Sequence, residues 1–391
     1  MVAPILATAS PALAQPLTEQ QAIERALGDA DTRRRDVAER QAARAAVEAI
    51  PLLENPEVAA SRSRLKGATD EEEREFGIVQ PLDLSGRRAA LRAAARAEAG
   101  AVDADVERRR QELVADVRRA YASCTAAAET AQIKIRFAAH LRDAERVTGE
   151  RTAAGDTAGY DLRRLRVESR SADAQARLAE GERAAQCATL AALTATPDVQ
   201  PSTRLGELAR AGVAVPSTGR ADLVALERRA SAAQATARAA QRARLPEVRV
   251  GIAQRELEVL GAKADGPVVS LSATVPIFGV GAQAREARAR AQARTAELAL
   301  SRRRADAEAA AARARLEAAQ QALAAGRATQ EDAARLGTIA ATAYQAGEVG
   351  VTELVDAYRS AHDAEVSIVE LTERTIKAAI DLDLAQGGAI P

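Results

Sequence analysis

The chain has 391 residues, enough by length for two or three ordinary domains, yet aromatics make up 2%, Trp is absent and Met occurs once. Its 55 Lys and Arg balance 55 Asp and Glu, and a net charge of zero removes the basic surface that nucleic-acid binding needs. Apolar content carried by Ala, Leu and Val, with 28% charged residues, belongs to long helices or coiled coils rather than to a thick globular core.

In chain order, the first segment, 1–14, reads as a signal peptide: a short apolar run reaches "ALA" at Ala12–Ala14, a small-residue cleavage site, before Gln15. The usual basic start is missing, which suggests a truncated beginning. No Cys follows the site, so no lipid anchor is expected there.

A first repeat is read over 15–195. It opens with a helical pattern at 18–50, which "NPEV" (55–58) ends, because Pro lacks an N–H and restricts the residue before it. A β-hairpin follows over about 57–84, closing with "QPLDLSGRR" (80–88). A long helix is predicted from 87 to 153, spanning roughly 100 Å at a rise of about 1.5 Å per residue. Then come a turn at 154–160 and a return helix. Residues 196–218, rich in Pro, Gly, Ser and Thr, form a linker.

The second repeat, 219–386, has the same parts in the same order. A helix at 219–243 ends in "LPEV" (245–248), and a hairpin over about 246–278 closes with "VPIFGVGAQ" (275–283). A long helix at 282–345, a turn at 346–351 and a return helix complete it, with 387–391 as a tail. Pro81 matches Pro276, Gly86 matches Gly281, Gly155 matches Gly347 and Leu162 matches Leu354. An internal duplication of helix, hairpin, long helix and return helix is therefore the organising fact.

The hairpins alternate. Val269, Leu271, Ala273 and Val275 share one face, while Ser270, Ser272 and Thr274 share the other. Val248, Val250 and Ile252 lie together, as do Phe76 and Ile78; Val58 and Ala60 are followed on their face by Arg62 and Arg64. Apolar on one side and small polar on the other is the pattern of a barrel strand between lipid and a wet lumen, although a solvent-facing hairpin would alternate too. No apolar run reaches the roughly 18 residues of a transmembrane helix. Four strands cannot close a barrel, whose smallest size is about eight. An open sheet in lipid would leave edge N–H and C=O groups unpaired. Copies of the chain must therefore share one barrel.

In this combination the chain resembles the TolC-type outer-membrane efflux proteins over nearly everything after residue 16. "NPEV", "QPLDLSGRR", "LPEVRVG", "VSLSATVPIFG", "YQAGEVGVTELVDAY" and "AAIDLDLAQGG" carry the resemblance. "QPLDLSGR" followed by "LPEVRVG" is most similar to the heavy-metal, cobalt–zinc–cadmium branch. The resemblance implies a mainly α fold with membrane β. Four strands per chain would contribute to a trimeric twelve-stranded outer-membrane barrel, continuous with a long periplasmic α-helical barrel. It also implies a periplasmic adaptor, an inner-membrane pump of RND type and a Gram-negative outer membrane. The function implied is a passive exit duct for heavy-metal cations or small toxic compounds. An outer-membrane duct of ABC-driven protein secretion is the alternative of the same fold, and a soluble coiled-coil scaffold is the alternative of another class.

The glycine breaks then read as periplasmic tips that an adaptor grips: Gly155, Asp156, Gly159 and Leu162 in one half, Gly347, Gly350 and Leu354 in the other. The family pattern of a tyrosine before the tip and two acids after it falls on Tyr344, Glu353 and Asp356, which implies a channel gate. The first acid is Glu rather than Asp, and a tip arginine of the archetype falls on Val349. Arg163, Arg164 or Arg166 of the other tip are the substitutes. In a periplasmic hairpin Cys124 and Cys187 are nearly equidistant from the turn. They would form a disulfide if their side chains face each other, or stay as two free thiols. His140 and His362 have no partners at metal-ligand spacing. "GVGAQA" (279–284) lacks the Lys and third Gly of a phosphate loop. No catalytic motif, cofactor or metal site is expected.

Overall fold

The computed structural model describes residues 16–67, 70–155, 159–211 and 219–388. The expected signal peptide, Asp156 and the last residues of the tail lie outside the described residues. In chain order the elements are β1 (Pro16–Leu17), α1 (Glu19–Gly28), α2 (Ala30–Glu48), β2 (Glu57–Leu65), β3 (Glu71–Leu82), α3 (Arg87–Ala154) and α4 (Gly159–Thr194). The linker holds β4 (Gln200–Pro201) and α5 (Leu205–Ala211). The second repeat holds α6 (Ala221–Arg242), β5 (Glu247–Val259), β6 (Ala262–Thr274), α7 (Val280–Ala346) and α8 (Val351–Gln386). The chain forms two compact units.

One unit comprises Met1–Arg33, Arg109–Arg220 and Ala305–Pro391. Thr18 begins α1 with a reciprocal cap, its hydroxyl accepting from the Gln21 amide while the Gln21 side chain accepts from the Thr18 amide. The Asp29 carboxylate accepts from the Thr32 amide at 2.8 Å and so starts α2. That cap is why the single helical pattern at 18–50 is two helices. Tyr121 is fully buried, and its hydroxyl donates to the Leu17 carbonyl at 2.8 Å and accepts from the Ser202 and Thr203 amides. Those bonds seat β1 beside β4 in parallel, on a cluster that includes Ile23, Val117 and Leu190. In the same cluster a disulfide joins Cys124 of α3 to Cys187 of α4, with the Cα atoms 4.7 Å apart.

The ending "AQGG" has a packing reason. Gly387 caps α8 at φ +96°, in the left-handed region. A Cβ there would overlap the Gly219 backbone and lie 2.6 Å from the Arg220 nitrogen. Gln111 donates to the Gly387 carbonyl at 3.1 Å and holds the helix end in place.

The other unit comprises Arg34–Arg108 and Ala221–Arg304. Its four strands form one antiparallel sheet in the order β2-β3-β5-β6. Residues Val58, Ile78, Ile252 and Val269 stand in one row across all four strands. Ala60, Phe76, Gln254 and Pro267 form the next row toward the hairpin turns. Toward the helices come Gln80, Val250 and Leu271, then Leu82, Val248 and Ala273. Val58, Phe76, Ile78, Ile252, Val269 and Leu271 are all exposed. The period of two puts the expected apolar residues of the strands on this one face, and Val275 falls just past the end of β6.

The strands run further than their apolar alternation does. Beyond Phe76 the same face carries Arg62, Arg74, Glu256 and Asp265 in one row, then Arg64, Glu72, Glu258 and Lys263. The ladder and cross-strand ion pairs continue the sheet where hydrophobic periodicity has ended, as where Arg255 on the opposite face meets Glu73 at 2.9 Å and Glu75 at 2.8 Å. The β5–β6 turn is two residues, Leu260 and Gly261, both at positive φ, which matches the right-handed strand twist.

Strand passes to helix through "DLSGRR". Asp83 accepts from the Ser85 hydroxyl at 2.6 Å and the Arg88 amide at 2.7 Å, and from the Ser85 and Arg87 amides. It thereby satisfies the open N–H groups at the start of α3. Every buried residue of α6 is an alanine, and Ala225 meets Ala101 and Ala104 of α3. Small side chains let the helices approach closely, and Arg229 crosses the seam to Asp105.

Candidate functional site

Both glycine breaks lie in the first unit. Gly155 ends α3 at φ +88° and Gly347 ends α7 at φ +81°, values that cost a residue without a Cβ nothing. The helices around them share one apolar cluster: Leu141 and Ala144 of α3, Leu165 of α4, Ala340 and Tyr344 of α7, and Leu354 and Val355 of α8. The tip is thus a four-helix contact in which both halves of the duplication take part.

Tyr344 is only 5% exposed. Its hydroxyl donates to the Thr148 hydroxyl of α3, which itself donates to the Ala144 carbonyl at 2.8 Å. Arg151, also of α3, donates to the Tyr344 carbonyl at 3.1 Å and the Gln345 carbonyl at 2.8 Å, and its guanidinium lies 5.2 Å from the Tyr344 ring centre. Carbonyls at a helix end lack intrahelical donors, and a cation there is favourable. Tyr344 is therefore held inside the chain's own packing, with α3 gripping the end of α7.

Glu353 and Asp356 are exposed on α8. Glu353 lies in the first turn of α8, with its carboxylate beside Gly350. Asp356 reaches Arg359 at 4.0 Å, and Arg359 also pairs with Glu168 of α4 at 2.9 Å. Of the three arginines expected near the other tip, Arg164 donates to Thr352 at 2.9 Å and Arg166 meets Glu145 at 3.4 Å, while Arg163 is exposed. Val349 packs against the apolar cluster.

Of the tip leucines, Leu354 is buried, and Leu162 packs beside Gly149 of α3. Gly159 opens α4, where an added Cβ would meet no described atom within 4 Å. Sequence reasoning missed Thr148 and Arg151, which have no motif of their own. It also missed Tyr160, 72% exposed at the tip in a chain with four tyrosines. Its rarity was the available signal.

Deeper in the same unit, the two histidines gather in a cleft of about 410 Å³ between α3, α7 and α8. His362 stacks on Phe137 with ring centres 4.4 Å apart, and His140 lies 5.5 Å from Tyr358. Burial pushes His362 below the ordinary histidine range, with Lys134 adding to the effect and Asp363 and Glu365 opposing it. Among the described residues no group of three or more His, Cys, Asp or Glu could hold a metal ion.

A model of the outer membrane efflux protein family matches residues 22–196 and 218–388, one segment in each repeat. No curated protein matches the chain. Among solved structures the chain is similar to CusC, at 21% identity over 95% of this chain and 92% of that one, with a TM-score of 0.77. It is similar to VceC of Vibrio cholerae at 19% identity over 95% and 96%, with a TM-score of 0.77. The open MtrE channel of Neisseria gonorrhoeae aligns at 22% identity over 95% and 89%, with a TM-score of 0.76. At these identities the likeness is one of fold, and the fold is that of the TolC-like channels. The chain belongs to the outer membrane efflux protein family, and its place is the outer membrane.

Proposed function

We propose that three copies of the chain build one exit duct, with twelve strands in the membrane and twelve helices of the repeats in the periplasm. The observation that carries this reading is the sheet: four strands with an exposed apolar face, in which β2 and β6 each pair on one side only. Unpaired edge groups in hydrocarbon cost several kcal/mol each, so the sheet closes with copies of itself. The duct is passive. An inner-membrane pump of RND type supplies the energy, and a periplasmic adaptor grips the tips at Gly155, Asp156, Gly159, Leu162, Gly347, Gly350 and Leu354.

Tyr344, Glu353 and Asp356 form the gate in this reading, in two roles. Tyr344, held by Thr148 and Arg151, keeps the end of α7 against α3 while the tip is closed. Glu353 and Asp356 supply six carboxylates around the axis, which favour cations over anions. That preference supports heavy-metal cations among the substrates, with small toxic compounds as the broader class. The disulfide Cys124–Cys187 forms in the oxidising periplasm and ties α3 to α4.

Extraction of the full chain from outer membranes, followed by mass measurement in detergent, tests the assembly. A trimer that conducts ions in planar bilayers is expected. A monomer that stays in solution without detergent would return the chain to the scaffold class.

A further inference from the structure

We propose that Arg62, Arg64 and Arg74 form a binding surface for the phosphate groups of phosphorylated glycolipids in the outer leaflet of the membrane. The inference rests on the barrel reading, which turns the apolar face of the sheet toward lipid.

Position comes first. The strands leave the helices at Leu82 and Val248, and their hairpin turns lie at the opposite end, so those turns face the cell exterior. From Leu82 to Arg74 the strand climbs about 27 Å along its axis at about 3.4 Å per residue. At the tilt of outer-membrane strands that is about 20 Å of height, and the apolar band of such barrels is about 25 Å tall. Exposed Leu84 and Phe278, beyond the strand roots, extend the band on the periplasmic side. The first charged row therefore stands where the outer headgroups begin.

Charge comes second. Three guanidiniums converge on one carboxylate, Glu72: Arg62 at 2.7 Å, Arg64 at 3.3 Å and Arg74 at 2.6 Å. Each arginine side chain is more than half exposed. The β2–β3 half of this face thus has an excess of two positive charges, directly above apolar rows that face acyl chains. On the β5–β6 half, Glu256, Glu258 and Asp265 outnumber Lys263. A layer of phosphates cross-linked by divalent cations offers both signs. Arginine forks take phosphate oxygens in pairs, and the acidic half takes the bridging cations.

A second copy of the chain is the competing occupant, because β2 is an edge and Asp265 of a neighbouring copy would approach it. Arg62 and Arg64 stand on that edge strand, but both turn inward to Glu72 of β3, where Arg74 also lies. Strands lie about 4.8 Å apart, so β3 stands about 10 Å from a neighbouring copy's edge strand. The geometry favours lipid.

Native mass spectrometry of the full chain in detergent, titrated with lipid A, tests the site. Wild-type protein should bind bis-phosphorylated lipid A more tightly than the mono-phosphorylated form. The triple variant Arg62→Gln, Arg64→Gln, Arg74→Gln should lose at least about tenfold in affinity, as lost charge-assisted phosphate contacts predict. The single variant Arg64→Gln, a smaller perturbation of the sheet, should lose about threefold on the same grounds. Equal binding by wild type and variants, or no preference for the second phosphate, overturns the proposal. The same spectra report subunit number. A triple variant that falls apart without lipid where wild type stays assembled gives the arginines to the seam between copies, which also overturns it. A wild-type monomer instead removes the barrel reading beneath it.

Discussion

At the scale of single residues the tip is held by Tyr344. Its hydroxyl bond to Thr148 is buried, and a buried hydrogen bond contributes about 0.5–1.5 kcal/mol. Tyr344→Phe keeps the ring against the Arg151 guanidinium and removes only that bond. The variant should show more frequent spontaneous opening in single-channel recordings, by a factor of about 2–10, the equivalent of that energy. An unchanged open probability would assign Tyr344 to packing alone.

Asp83 is a second single-residue case. Burial pushes its pKa up, but hydrogen bonds from the Ser85 hydroxyl and the Arg88, Arg87 and Ser85 amides outweigh burial, and the carboxyl ends below its ordinary value. A depressed carboxylate adds stability that is complete above its unfolded pKa, about 3.9, and is lost as pH falls through the folded value. Asp83→Ala should cost about 1 kcal/mol at neutral pH, as for a lost helix cap. The difference from wild type should shrink in melts taken below about pH 4.

Elements are next. The α3–α4 hairpin carries the disulfide, between cysteines 63 positions apart, whereas the α7–α8 hairpin has none. Closing a loop of that length removes unfolded-state entropy worth about 4 kcal/mol. Reduction, or Cys124→Ser with Cys187→Ser, should lower the thermal midpoint followed by circular dichroism and leave wild-type helicity below it. A midpoint indifferent to reductant would show that the bridge does not form in the folded protein. The strands show how far an element outruns its periodicity. Alternation ends near Phe76 and Gln254, yet β3, β5 and β6 are 12, 13 and 13 residues long. Backbone ladders do not depend on side-chain polarity, and the charged rows that extend them are invisible to a hydrophobic pattern.

For the whole molecule, Glu353 and Asp356 are exposed, and in the proposed assembly they would repeat around its axis. Glu353→Gln with Asp356→Asn removes six charges from the proposed assembly. Cation preference, read as the reversal potential in a salt gradient, should fall toward that of an uncharged pore. If the reversal potential stays in place, the two acids are solvated positions on a helix face.

The duplication, the place of every hairpin and the glycine turns were legible in the sequence. Each depends on local chemistry: alternation marks strands, glycine admits positive φ, and proline follows the helix ends, although α2 stops at Glu48, ahead of Pro51 and well short of the expected Pro56. Tertiary structure alone decided which helices meet at the tip. Thr148 and Arg151 find Tyr344 across nearly half the chain, and nothing local to either residue encodes that meeting. It likewise decided that Gly387 lies against Gly219, and that three arginines from two strands converge on Glu72. A sequence records the period of each element, whereas contacts between elements depend on register and on the order in which strands and helices become neighbours. In a chain built from alanine seams, with few large side chains to announce their partners, that information exists only once the elements are packed.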